Sequence, residues 1–217
     1  MPIRLRCSLF LLASVLTAGA QTLIDNDQVR VLKAIDQPHS RNKPHEHKVN
    51  RVMVYLQSGR QEIVSNGKST VTELKANEVK WSPATTAPHT SEILSDAPVT
   101  MIEIELKKPG DPAKKLSGPL DPLKADPKHT HLEFENPQVR VYRVKLGPKE
   151  KLAMHEHMVN KLAVFLTDQE EVITSADGKA EHVTNHVGDV VFGGPVKHRE
   201  ENARDTPTDV IVVELKN

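Results

Sequence analysis

The sequence predicts an all-β protein of two barrel or sandwich domains in tandem, on three observations. Short Val/Ile/Leu runs recur between turn residues, no useful length of chain repeats with the helical period, and the second half repeats the first. In that repeat, residues 26–31 align with 136–141, Val54-Tyr55-Leu56 with Val164-Phe165-Leu166, and Asn66-Gly67-Lys68 with Asp177-Gly178-Lys179. Trp81 falls opposite Phe192, and residues 98–106 line up with 207–215. So many matches in one order mark a duplicated domain.

Residues 1–20 stand apart from the fold. Arg4 and Arg6 precede an apolar run over 9–16, and Ala18-Gly19-Ala20 offers small residues for cleavage. The segment reads as a signal peptide with a mature start at Gln21, since the apolar run is far shorter than the ~20 residues of a spanning helix. The expected product is exported, periplasmic or secreted, and free of the membrane after cleavage. Cys7, the only cysteine, leaves with the peptide, which removes disulfides and thiol chemistry. The formal net charge of +0 turns slightly acidic once Arg4 and Arg6 are gone, giving no electrostatic footing for nucleic acid or an anionic membrane. Aromatic residues are 3% of the chain, so aliphatic strands must supply most of the core.

The first domain is expected over 21–107, with strands at 51–56, 62–65 and 99–106. Asn66-Gly67 suits a tight hairpin because both residues accept positive φ. Residues 108–129 break the pattern with Pro109, Pro112, Pro119, Pro122 and Pro127 among lysines and aspartates, which reads as an exposed, partly extended linker. The second domain follows over 130–217, with strands at 138–146, 161–166 and 210–215 and Asp177-Gly178 as its hairpin turn.

Each half contains His-Glu-His, as His45-Glu46-His47 and His155-Glu156-His157, and each has a further histidine downstream, His89 and His198. Alternate residues of a strand share a face, so each pair points two imidazoles the same way. A third from a neighbouring strand completes a ligand set for Zn, Fe(II), Mn, Ni or Cu with positions left open for water or substrate. Surface or packing histidines are the competing reading, weakened by the matched placement in both halves. His129 and His131 form a third His-x-His without a repeat partner and read as surface; His39, His182 and His186 also lack counterparts. Tyr55/Phe165 and Trp81/Phe192 read as paired core aromatics, with Trp81 or Phe192 also placed to line a pocket.

The halves resemble the cupin domain, a small jelly-roll β-barrel with motifs G(x)5HxH(x)3–4E(x)6G and G(x)5PxG(x)2H(x)3N. The two His-Glu-His segments match the first motif's core, and Gly59 stands at its closing glycine. Gly188-Asp189-Val190, Pro195, His198 and Asn202 match the second with one residue of slippage; the first half keeps Pro88-His89, with Asn77-Glu78-Val79 in place of Gly-Asp-Val. The resemblance spans nearly all of the chain after residue 20. It implies two cupin-like jelly-roll domains in tandem, a bicupin, with metal held by three histidines and a glutamate.

The chain departs from the motif at that glutamate, where Arg51-Val52 and Lys161-Leu162 stand. A cationic side chain opposes a metal that a carboxylate would attract, although three-histidine cupins are known. Glu92 and Glu201 follow the third histidines by three residues and enter the site only if a bulge resets the alternation. Asn50 and Asn160 either bond a ligand or serve a turn. Arg51 and Lys161 either hold a substrate carboxylate or pair with Glu92 and Glu201 at the barrel mouth. The expected function is an exported bicupin binding a divalent transition metal in at least one domain, the second favoured, together with a small anionic molecule. An enzyme of this kind would be an oxidoreductase, isomerase or lyase, and fold analogy alone does not choose among them. The alternative is a non-catalytic small-molecule-binding or structural cupin without metal. The sequence carries no mark of oligomeric state.

Overall fold

The computed structural model describes residues 19–217. The signal-peptide reading of residues 1–18 lies outside the described residues, while Gly19 and Ala20 open the first strand and pair with Ile35 and Ala34. The first half forms β1 (Gly19–Asp25), β2 (Val29–Asp36), β3 (His45–His47), β4 (Arg51–Tyr55), β5 (Gly59–Ser65), β6 (Lys68–Leu74), β7 (Val79–Ser82), β8 (Thr85–Ile93) and β9 (Val99–Leu106). These make a five-stranded sheet, β1-β2-β9-β4-β7, and a four-stranded sheet, β3-β8-β5-β6. A short helix, α1 (Pro122–Ala125), precedes the second half. That half forms β10 (Thr130–Glu135), β11 (Val139–Leu146), β12 (Lys151–His157), β13 (Lys161–Phe165), β14 (Gln169–Ser175), β15 (Ala180–Asn185), β16 (Val190–Gly193), β17 (Val196–Asn202) and β18 (Thr208–Leu215). Its sheets, β10-β11-β18-β13-β16 and β12-β17-β14-β15, repeat the first plan strand for strand.

The central strands of the two five-stranded sheets are buried on both faces, while the edge strands β1 and β10 are largely exposed. On one face, Val31, Val52, Val54 and Ile104 of the first half meet Val141, Leu162, Ile211 and Val213 of the second in a single core. Alternate residues turn the other way, into the barrels: Met53, Tyr55 and Met101 in the first, Tyr142, Phe165 and Val212 in the second. Double burial is why β4 is buried along its whole length, rather than alternating as an antiparallel strand with one wet face does. Trp81 and Phe192 pack on the interdomain core, whereas Tyr55 and Phe165 line the lumens. Across the domain boundary, Asn50 Nδ2 donates to Gln138 Oε1 at 2.5 Å and Asn160 Nδ2 donates to Gln28 Oε1 at 2.6 Å, a reciprocal clasp.

Turn chemistry differs between the copies in one place and agrees in another. Asn66 (φ 50°) and Gly67 (φ 72°) close β5 and β6 as the expected two-residue turn. In the second copy only Gly178 (φ 87°) is left-handed, and Asp177 instead accepts from Ser175 Oγ and from the Lys179 amide to tie a longer turn. Conversely, Asn77 (φ 64°) and Gly188 (φ 82°) hold equivalent left-handed turns, their amides donating to Tyr55 at 2.7 Å and to Phe165 at 2.8 Å. Asparagine tolerates that region better than most side chains, so the first half's departure from glycine keeps the backbone path.

The segment between the halves is less exposed than expected. Leu116 and Asp121 are buried, and Arg140 Nη1 donates to the Leu116 carbonyl and, at 3.0 Å, to Asp121 Oδ2. Leu120 accepts from the Glu156 amide at 2.8 Å, so the prolines set a strap along β12 rather than a free tether. His129, read as surface, is also buried, with Nδ1 2.9 Å from the Asp126 carboxylate.

Truncating the shared core at Ile104→Ala should cost about 2–5 kcal/mol. Calorimetry should show both halves unfolding in one transition, displaced as a whole in the variant. Two resolved transitions with only one displaced would contradict the common core.

Candidate metal centre

The alternation of β12 turns His155 and His157 inward, and β17 brings His198 directly opposite His155 in register. A register shift between Leu152 and His155 lets both face the lumen although they stand an odd three positions apart. In the first half β8 places His89 opposite His45, and the register shift falls between His45 and His47 rather than ahead of them. In each barrel the three histidines offer nitrogens within 4.8 Å of one another.

In the second barrel the nitrogens suit a metal. His155 Nδ1 lies 2.9 Å from the Ala153 carbonyl and His157 Nδ1 lies 3.1 Å from Glu214 Oε1, an arrangement in which both Nδ1 atoms carry the proton and both Nε2 lone pairs face inward. Those Nε2 atoms stand 3.2 Å apart. Metal–nitrogen bonds of about 2.1 Å place neighbouring ligand nitrogens roughly 3.0–3.4 Å apart. His198 Nε2 is buried without a hydrogen-bond partner, a cost that ligation would relieve. Burial lowers the pKa of His157 to about 2 and of His198 to about 4, keeping both neutral as ligands must be. Behind His157, Arg140 Nε donates to Glu214 Oε2 at 2.7 Å, and the Tyr142 hydroxyl lies 3.3 Å from His157 Nδ1.

The first barrel has the same rings but a different occupant. Arg51 Nη1 donates to His47 Nε2 at 2.9 Å and to Glu103 Oε2 at 3.1 Å, and its Nη2 donates to Ser82 Oγ at 2.9 Å. Glu103 Oε1 is 3.9 Å from His47 Nδ1, too far for the grip that Glu214 has on His157. A guanidinium on a ligand nitrogen does not fit a metal there.

The other sequence candidates divide. Lys161 lines the second lumen, with its pKa lowered by burial against the opposing pull of Glu200 and Glu214. Glu201 does not enter: it faces out and pairs with Lys151 at 2.9 Å, while Glu200 lines the lumen with its Oε1 3.6 Å from His198 Nε2. Glu92 likewise pairs outside with Arg41 at 2.7 Å, leaving Ser91 to face the first lumen. No bulge follows the third histidine in either copy, so strict alternation admits the second residue after it and expels the third. Asn50 and Asn160 line neither lumen, because their amides are held in the interdomain clasp. Arg51 and Lys161 therefore do not pair with Glu92 and Glu201.

Sequence reasoning missed Glu171, Glu200, Glu214 and Tyr142. Glu200 was open to the parity rule; Glu214 and Tyr142 sit in strands that read only as apolar runs. Glu171 on β14 is buried, and that burial, with Glu200 beside it, raises its pKa to about 8. The second lumen is a cavity of about 190 Å³, largely walled by aliphatic side chains such as Val144, Leu152, Ile173 and Val210. The first lumen, about 170 Å³, is lined by polar groups including Asp36, Asn42, Gln61 and Ser91.

No protein-family model and no curated protein matches the sequence. Solved structures do match the fold. AerE from Microcystis aeruginosa aligns over 92% of this chain and 98% of its own with 15% identity and a TM-score of 0.62. Oxalate decarboxylase from Bacillus subtilis, a protein with Mn(II) centres, aligns over 88% of this chain and 69% of its own with 14% identity and a TM-score of 0.59. A cupin 2 conserved barrel domain protein from Leptotrichia buccalis aligns over 93% and 90%, with 11% identity and a TM-score of 0.55. The architecture is thus two cupin jelly-roll domains in tandem.

Glu171 sets an expectation for pH. Its folded pKa lies above the unfolded value of 4.5, so the folded state retains a proton that the unfolded chain has released between pH 4.5 and about 8. Its contribution to stability is full below that window and declines as pH rises through it. Denaturant midpoints at pH 5 and pH 8.5 should show Glu171→Gln gaining on the wild type as pH rises; a constant difference would refute the assignment.

Proposed function

We propose that the second barrel is the working site, binding one divalent transition metal through His155, His157 and His198 and a small, apolar-bodied carboxylate beside it. The observation that carries the metal is the buried, partnerless Nε2 of His198 beside the inward-facing Nε2 atoms of His155 and His157. A bound ion would supply Lewis acidity at an open coordination position. Glu200 supplies the carboxylate that the usual first-motif position lacks, offsetting part of the metal's charge together with Glu214.

Lys161 supports the second half of the reading. It lines the apolar lumen and has no hydrogen-bond or ion-pair partner among the described residues. A half-buried ammonium that Glu200 and Glu214 attract only from a distance is costly, and an incoming carboxylate in contact offsets that cost. The aliphatic wall then receives the ligand's body and excludes water. Glu171, protonated at neutral pH, faces the same lumen as a proton donor. Zn, Fe(II), Mn, Ni and Cu all suit three imidazoles with a nearby carboxylate. Export to the periplasm or medium belongs to the same reading, supported by the basic, apolar and small-residue pattern of residues 1–20.

Elemental analysis of protein produced with export should find close to one equivalent of transition metal, lost in His155→Ala/His157→Ala. Wild type that stays metal-free after incubation with Zn, Fe(II) and Mn would end the metal reading. In Co(II)-loaded protein, 3-methylbutanoate should shift the visible spectrum, and Lys161→Met should weaken that binding at least tenfold while keeping the metal. Equal affinity in the variant would remove Lys161 from the ligand site.

A further inference from the structure

We propose that Arg51 stands in for a metal ion in the first barrel, so that His45, His47 and His89 are a ligand set closed by a guanidinium. The inference extends the reading of the second barrel as the metal site, but its key test below does not depend on that site being occupied.

The nitrogen at issue is His47 Nε2. Its counterpart, His157 Nε2, faces His155 Nε2 across 3.2 Å, whereas His47 Nε2 accepts from Arg51 Nη1 at 2.9 Å. A lone pair engaged by an N–H is not available to a cation, and the donor is itself a cation. The same Nη1 is anchored on Glu103 at 3.1 Å, and Nη2 on Ser82 at 2.9 Å. A planar guanidinium can serve all three at once; an ammonium on a shorter stem cannot.

The two halves differ at these positions together. Ser82 sits opposite Arg51 in β7, and Gly193 sits opposite Lys161 in β16. Glu103 sits opposite Met53, and Val212 sits opposite Ala163. Where the chain carries arginine it also carries both of its anchors, and where it carries lysine it carries neither. The carboxylate nearest His47 Nδ1 is spent on Arg51, while in the second barrel Glu214 takes Arg140 on Oε2 and keeps Oε1 on His157 Nδ1 at 3.1 Å. Arg51 is itself buried, so the three-way contact is a built part of the barrel wall.

The test converts the first barrel to the second barrel's pattern with Arg51→Lys/Ser82→Gly/Glu103→Val, which removes the anchoring carboxylate together with the guanidinium. Protein is loaded with excess Mn(II) or Zn(II), desalted and analysed for metal. In the His155→Ala/His157→Ala background the first barrel is read alone: the unconverted chain should hold no equivalent and the converted chain one. In the otherwise wild-type chain, His45→Ala/His47→Ala should leave the metal content unchanged. A folded converted chain, judged by circular dichroism, that gains no metal overturns the proposal. So does loss of an equivalent from the wild type on His45→Ala/His47→Ala, and that comparison decides the matter if the converted chain does not fold. A metal-free wild type whose converted form gains an equivalent would sustain this inference while removing the metal role of the second barrel.

Discussion

Two antiparallel sheets, whose central strands are buried on both faces, constrain everything else in this molecule. Their outer faces are committed to one another through the core shared by Val52, Ile104, Leu162 and Val213. Burying such a side chain contributes about 1.5–3 kcal/mol, and a slip of one residue would turn the whole set away from the partner sheet. Register is therefore fixed from both sides at once. The inward positions that remain are held in a frame with little room to shift.

Within that frame the halves have taken different electrostatic solutions. The second barrel walls its lumen largely with aliphatic side chains, with Lys161, Glu171 and Glu200 among them, and places a further ion network behind the histidines, where Arg140 lies between Glu214 and Asp121. A buried network of that kind adds little net stability, but it sets which nitrogen of His157 carries the proton. The first barrel brings its charges to the front, with Arg51 and Glu103 in the lumen among Asp36, Asn42 and Gln61. The same scaffold thus presents one mainly aliphatic pocket with inward-facing ligand nitrogens and one polar-walled pocket in which Arg51 engages a ligand nitrogen.

Much of this was legible in the chain, for physical reasons. Period-two alternation gave the inward face of His155-Glu156-His157, and the repeat paired it with His198 and the first half's His89. The same rule, applied without assuming a bulge, would have named Glu200 instead of Glu201 and rejected Glu92. The irregularities beside the motifs lie ahead of His155 in the second half and between His45 and His47 in the first, and only pairing geometry reveals them. Asn50 and Asn160 looked like ligands because they sit beside the histidine motif in both copies, whereas their partners Gln138 and Gln28 lie in the opposite half. Glu171 gave no signal at all: its neighbourhood with Glu200 and its seclusion from water are products of strands that the sequence shows only as separate runs. The proline-rich segment misled for a related reason, since proline sets an extended path but does not say what that path lies against.

The reciprocal clasp, Asn50 to Gln138 and Asn160 to Gln28, has the symmetry of an isologous contact, in which one patch meets its own copy about a two-fold axis. In a homodimer, every substitution at such a contact, or in the pocket behind it, occurs twice. Joining both copies in one chain breaks that compulsion. The seam can stay symmetric, as the asparagine–glutamine pairs have, while each pocket answers to its own codons. The fusion, rather than any feature of the individual barrels, is what permits one pocket to specialise without altering the other.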